Sequence, residues 1–503
     1  MTNYLVYLAW LSPEVVVIFT ALGIMVADLL VPDSWRRQLG YAAIWGLLFA
    51  FFADRKFIVD IMTEQMAEHG ELIGVPPLLY LSPYTSILKL CVIASTILTI
   101  LLYLQQKEVS ENKNLGEFLS LILLSCVGMM FMVCSDDLIM VFLAMEFIGI
   151  VSYILVGFVR TDVRAGEAAI KFFLIGAFSS AIMVYGMSFI YGLTGSTSIT
   201  VIGKLISSGA VPNSMLLKMG VLLVLVGLGF KLALVPFHSW LPDAMQGATS
   251  AISGFISVAP KAAGLAVVVR VFGEAFPLTK LELVGLLSFI SIVTMTFGNL
   301  MALHQTDLKR LLGYSSVAHI GYILVGVIAA NKLGASGVAI YVIAYLLMNL
   351  GAFGCIIAVA NKTGSTNIED YAGLSHRNLP MALILVLFLL SLGGLPPTVG
   401  FIGKWYVFAA AIQTMQATNG TLTSPYLWLT VFGLLNSVVA IYYYLRVVYQ
   451  MFFREPRENT GIECSPLLWL GTGFAAVFIL VLGIAPQIFV GAAEAAASKL
   501  TIY

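Results

Sequence analysis

Four ionisable residues stand where a membrane-crossing helix should not tolerate them. Glu146 lies in "LIMVFLAMEFIGIVSYILVGF" and Lys231 ends "LLKMGVLLVLVGLGFK"; Lys261 lies in "AISGFISVAPKAAGLAVVV" and Lys404 in "LPPTVGFIGKWYVF". A charge at the bilayer centre costs at least ~2.5–3.5 kcal/mol even on a lenient insertion scale, so four such residues imply a task. The chemistry that one carboxyl and three amines share is the binding and release of protons. Two of the lysines lie beside prolines: Pro236 follows Lys231, and Pro396–Pro397 precede Lys404. Proline frees backbone carbonyls, and the resulting irregular backbone is tolerated at membrane depth only where it is buried in protein or lines a wet cavity. Helix break and lysine therefore read as two signs of one hydrated path.

Weaker candidates surround these four. Lys171 lies one turn beyond Glu167, a spacing that allows an ion pair near an interface, and it is a candidate relay. His319, in "YSSVAHIGYILVG", reads either as a hydrogen-bonded core histidine or as a proton relay. His238 and Asp243 follow the Pro236 break and are placed to cap it, and His238 is a further candidate relay. Arg270 and Arg446 lie towards helix ends, from which long basic side chains reach an interface. Lys89 lies within an apolar run at a depth that spacing does not fix.

The elements that must position these groups follow from composition. Of 503 residues, 60% are hydrophobic and 10% charged, and apolar runs recur from end to end. This is the signature of a polytopic, all-α membrane protein, because inside lipid every backbone polar group must be paired within its own segment. The runs predict about fourteen transmembrane helices, at 11–31, 38–54, 79–104, 116–134, 137–160, 166–192, 215–245, 250–275, 281–304, 311–330, 334–360, 380–417, 425–454 and 466–490. The first is expected as a retained helix, since no basic region or cleavage site accompanies it. The stretch 55–78 is the longest loop and a candidate for a small extramembrane element. Zero net charge gives no reason to expect nucleic acid, and five cysteines without a CxxC pair offer no thiolate metal or iron–sulfur site.

Pro236 and Pro396–Pro397 are offset by roughly 160 residues, as are the helices starting near 116 and 281. Five helices per copy is an odd number, so the second copy would be inverted. The chain then divides into a three-helix segment (1–115), a first repeat (116–275), a second repeat (281–454) and a C-terminal helix (455–503). Counting Lys and Arg at loops and helix ends gives twelve on one side and seven on the other. That bias places both termini on the outer face.

The segments "FKLALVPFHSWLPDAMQGATSAISGFISVAPKAA" and "LLSLGGLPPTVGFIGKWYVF" resemble the antiporter-like membrane subunits of proton-pumping NADH:quinone oxidoreductase, respiratory complex I, and "DLKRLLGYSSVAHIGYILVG" and "NIEDYAGLSHRN" agree. The resemblance runs from about 116 to 454. It implies fourteen helices with two inverted five-helix repeats and two interrupted helices. It also implies a proton path through Glu146, Lys231, Lys261 and Lys404. Among the three related subunits, the chain lacks the long lateral C-terminal helix of the largest. It carries lysine, not glutamate, at 404. The resemblance further implies a bacterial inner-membrane location within a hetero-oligomeric complex. The partners would carry FMN and iron–sulfur clusters, quinone would accept the electrons, and no cofactor or metal would sit in this chain. Alternatives are a subunit of a multisubunit sodium/proton antiporter, of a ferredoxin-driven quinone reductase, or a quinone-binding subunit.

Overall fold

The computed structural model describes residues 11–60, 78–107, 114–456 and 461–500. Nineteen α-helices occur among them. The first four are α1 (Ser12–Leu30), α2 (Arg36–Asp60), α3 (Pro83–Tyr103) and α4 (Leu115–Cys134). Next come α5 (Leu138–Val156), α6 (Val163–Thr194), the short α7 (Ile199–Ser207), and the pair α8 (Met215–Leu232) and α9 (Trp240–Gly247). Then follow α10 (Ser250–Arg270), α11 (Val284–Leu303), α12 (Leu308–Ile328) and α13 (Lys332–Thr363). The remainder are the one-turn α14 (Leu374–Arg377), the pair α15 (Leu379–Gly393) and α16 (Val399–Ala417), α17 (Pro425–Phe453), α18 (Pro466–Ile484) and α19 (Gln487–Ala497). Twelve of the described helices are long and apolar enough to cross a membrane. The more polar α2 and the α15/α16 pair complete the fourteen predicted crossings.

Differences from the sequence reading are local. The second crossing extends to Asp60, well beyond the predicted 38–54, because α2 carries its charged "DRK" into the helix. The 466–490 run stops at Ile484 and restarts as α19, with Ala485 and Pro486 at the joint. The 61–77 part of the proposed extramembrane element lies outside the described residues.

Burial orders the bundle. The most apolar stretches of α10 and α12 are buried throughout, and α13 nearly so. A helix that is apolar all round is stable only inside a protein or a membrane, and these three are enclosed by protein. By contrast α1, α6 and α17 each turn a broad apolar face outward, for example Phe19, Phe178 and Tyr442. Small residues permit the tight packing. A Cβ on Gly298 would meet the Ala318 backbone at 2.7 Å, fixing the close approach of α11 and α12.

Two clasps of the same design close the two halves. Asp137 caps α5, accepting from Ile139 N at 2.8 Å, and also accepts from the Thr197 hydroxyl just after α6 ends in left-handed Gly195. Asp307 caps α12, accepting from Arg310 N at 2.8 Å, and accepts from Thr366 just after α13 ends in left-handed Gly364. Backbone bridges Asp137–Ser198 and Asp307–Asn367 accompany them. Both follow from like sequences, "TGSTSI" at 194–199 and "TGSTNI" at 363–368. An odd number of crossings separates them, so they lie at opposite membrane faces.

Candidate functional site

Each broken helix ends its first half in a left-handed residue, Ala233 (φ 60°) after α8 and Gly394 (φ 82°) after α15. The last turn of an α-helix exposes carbonyls and the negative end of its dipole, which favours a cation. Lys231 occupies the last turn of α8. Lys404 arrives from the second half of its pair, and its Nζ donates to Gly393 O at 2.8 Å. The same ammonium lies 4.7 Å from the Tyr322 ring centroid, a cation–π distance. Two different placements in sequence thus bring a lysine to the same kind of helix end.

Other groups complete the first break. Trp240 Nε1 donates to Phe230 O at 3.0 Å, and Val235 N donates to Thr294 Oγ1 at 3.2 Å. The indole reaches back across the break, and the His238 ring, edge-on to Phe297, bonds the Pro236 backbone within it. The capping expected of Asp243 is corrected: it turns away to pair with Lys171 at 3.2 Å and Arg310 at 2.7 Å. At the second break Thr398 Oγ1 donates to Leu395 O at 2.7 Å. There Gly400 passes so close that a Cβ would lie 1.9 Å from Ser391 O.

Glu146 sits midway along α5, accepts from the Ser180 hydroxyl on α6 and is partly exposed on the rim of the bundle. Its charge acts on Lys231. Lys261 lies near the centre of α10 and is fully enclosed, donating to Ser316 Oγ at 2.5 Å and Ser316 O at 3.1 Å. Tyr345 OH donates to the same Ser316 hydroxyl at 2.7 Å.

From here a side-chain relay runs towards Lys404. His319, one turn from Ser316, bonds Tyr341 OH at 2.8 Å and Tyr444 OH at 3.4 Å, and it lies in the field of both Lys261 and Lys404. Tyr444 OH also bonds Ser315 Oγ at 2.5 Å and neighbours Tyr443. Tyr443 OH donates to Asn299 Oδ1 at 3.1 Å, and Asn299 Nδ2 donates to Tyr322 OH at 2.8 Å. Tyr322 is the ring beneath Lys404. Hydroxyl, imidazole and amide groups spaced this way can pass or orient protons between two amines.

Lys261, His319 and Lys404 are therefore brought together, and Lys231, itself buried, lies in the field of Glu146 at the rim. Lys171 is not part of this interior. It is half-exposed on α6 and paired with Glu167 at 2.7 Å and with Asp243. The tyrosines and Asn299 went unnoticed in the sequence, since polar residues inside apolar runs signal nothing until their partners are known.

One arginine overturns an expectation. Arg270 does not reach for an interface: it is 1% exposed, bonding Asp136 at 2.6 Å, Glu274 at 2.9 Å and Ser135 O at 2.6 Å, and stacking on Tyr80. A buried guanidinium needs carboxylate partners, and Asp136, 134 positions away, could not be matched to it from spacing. Arg446, by contrast, sits at a helix end, bonding Leu303 O at 2.7 Å and Gln305 O at the close of α11.

Comparison with known proteins agrees with this geometry. The profile described as "NADH:quinone oxidoreductase/Mrp antiporter, TM" matches residues 135–429, which hold both clasps, both breaks and all four central ionisable residues. NADH-quinone oxidoreductase subunit N of Trichlorobacter lovleyi is 36% identical over 490 residues, covering 97% of this chain and 96% of its own. Subunit N 2 of Chloroherpeton thalassium is 42% identical over 390 residues, 76% of this chain and 74% of its own. Among solved structures, a chain of respiratory complex I from Thermus thermophilus with bound aureothin superposes with a TM-score of 0.77 at 27% identity, covering 95% of this chain and 98% of that one. With the match spanning the clasps, the breaks and nearly the whole length, the chain belongs to the family of NADH-quinone oxidoreductase N subunits, the antiporter-like membrane proteins.

Proposed function

We propose that the chain is a proton-translocating membrane subunit of a complex I-type NADH:quinone oxidoreductase, and that protons cross it by way of Glu146, Lys231, Lys261 and Lys404. The observation that carries this reading is the buried run of polar side chains between Lys261 and Lys404: Ser316 bonded to Lys261, His319 one turn further on, then Tyr444, Tyr443, Asn299 and the Tyr322 ring beneath Lys404. Redox chemistry belongs to partner subunits holding FMN and iron–sulfur clusters, with quinone as acceptor. The complex is a hetero-oligomer of the bacterial inner membrane, with both termini of this chain on the outer face.

Lys231 is the loading site, and Glu146 stabilises its charged form. When a neighbouring subunit draws Glu146 away, Lys231 passes its proton to Lys261, and the relay carries it to Lys404 for release. An ion pair at ~4 Å and an effective dielectric of ~20 is worth about 4 kcal/mol. Driving one charge against ~180 mV takes about 4 kcal/mol, at ~2.3 kcal/mol per 100 mV, which uses up the whole pair. One pair made and broken therefore suffices only when tied to further charges, which favours coupling along several subunits. The paired clasps support a division into a three-helix segment (1–115), two inverted repeats (116–275 and 281–454) and a C-terminal part (455–503).

The test uses the assembled enzyme in closed vesicles. Lys261→Met should lower proton uptake per NADH oxidised while quinone reduction persists. Undiminished uptake would remove the reading. Sodium-dependent flux with no quinone reduction would instead indicate an antiporter subunit.

A further inference from the structure

A second group of buried charges lies outside the Glu146–Lys404 series, in the first three helices. Glu14 is the third residue of α1, Lys89 the seventh of α3, and Asp54 lies seven residues from the end of α2. Helix alternation brings all three to one membrane end, roughly 3–10 Å in from the helix termini at ~1.5 Å per residue. Glu14 and Asp54 are each 1% exposed and Lys89 is 2% exposed. Lys89 Nζ approaches Glu14 Oε1 at 2.5 Å. Asp54 bonds Ser86, on the same face of α3 as Lys89, and lies in the field of both Lys89 and Glu14. The remaining titratable neighbour of Lys89 is Cys134, at the end of α4. Glu14 Oε2 and Asp54 Oδ2 are both fully enclosed, yet neither has a hydrogen-bond partner.

The balance of charge decides what this cluster holds. Two carboxylates facing one ammonium leave one negative charge uncompensated in a dry site, and a proton on one carboxyl removes that charge. The two unpartnered oxygens are the available positions for it. We infer that Glu14, Asp54 and Lys89 form a second proton-binding site, in which the two carboxyls hold one exchangeable proton beside the Lys89 ammonium. The site has a physical tie to the rest of the molecule. Cys134 leads directly into Ser135 and Asp136, which hold Arg270 at the end of α10, the helix that carries Lys261. A change of charge at Lys89 is thus felt at one end of the central helix.

A lipid-soluble carbodiimide tests this on the unaltered, assembled enzyme. The carboxylic proton moves to a carbodiimide nitrogen, the carboxylate oxygen adds to the central carbon, and the O-acylisourea rearranges to a stable N-acylurea. Only a protonated carboxyl starts the sequence. Peptide mapping should find the adduct on Asp54 or Glu14, with a yield that falls as pH rises, and the adduct should be lost in Glu14→Gln/Asp54→Asn. No adduct on either residue at any pH, or a yield indifferent to pH, overturns the inference. As a second readout, Asp54→Asn should shift the pH profile of proton uptake in vesicles, and a superimposable profile counts against the site. The labelling needs no pumping by this chain, so its outcome is independent of the Lys261→Met test above.

Discussion

The two broken helices reach one end by opposite routes. In the first, the lysine belongs to the half-helix whose carbonyls it faces, an indole closes the break, and a partly exposed carboxylate acts on the ammonium from the rim. In the second, the lysine comes from the following half-helix, reaches back to Gly393 O, and is surrounded by Tyr322 and the histidine–tyrosine relay. Under the proposed mechanism the first lysine answers to what lies outside the chain, because anything that moves Glu146 changes its support, and the second answers from within, because its partners are buried and uncharged apart from Lys261 and His319. On that proposal the two breaks divide the roles of input and interior.

The largest effects should fall on the lysines themselves. Lys231→Met and Lys404→Met should each lower proton uptake in vesicles roughly tenfold or more, the scale of losing an acid–base group. If one substitution is silent, the two breaks are not parts of one path. Next comes Gly394→Ala, whose Cβ would lie 2.8 Å from Lys404 Cδ and 3.1 Å from its Nζ. It should cost about 1–2 kcal/mol in left-handed backbone strain and displace the ammonium, lowering both melting temperature and uptake. Ala233→Gly, which relieves the same strain at the other break, should preserve uptake. Trp240→Phe removes one of two donors to Phe230 O, which keeps Ala233 N at 3.0 Å, and leaves a cavity beside the smaller ring; it should destabilise by about 1–3 kcal/mol in thermal unfolding. The smallest effect is expected for Thr398→Val, about 0.5–1.5 kcal/mol, since Leu395 O lies at a partly exposed turn.

The crossings were legible in the sequence because apolar length is a property of single segments, and the breaks because proline acts on its own backbone. The four central charges stood out for the same local reason. Partnerships did not. Lys89 was left without a depth because its counter-charge, Glu14, lies 75 positions earlier, on a helix that otherwise reads as plain lipid-facing α1. Arg270 read as interfacial because its position near a helix end was visible and Asp136 was not assignable to it. Trp240 read as an apolar residue, and only the fold shows its N–H turned back on Phe230. Short α7 and α19 were absorbed into loops or neighbouring crossings, since nine and eleven residues fall below the length that hydropathy detects.

The two aspartate–threonine clasps carry a consequence for how the subunit can move. Each staples the start of one crossing to the end of the next, one staple on each side of the membrane. Each staple lies inside one repeat, so a motion that slid the stapled crossings of a repeat past each other would have to tear it. Within each repeat the banks of the canal are thereby pinned, which leaves side-chain rotamers as its moving parts.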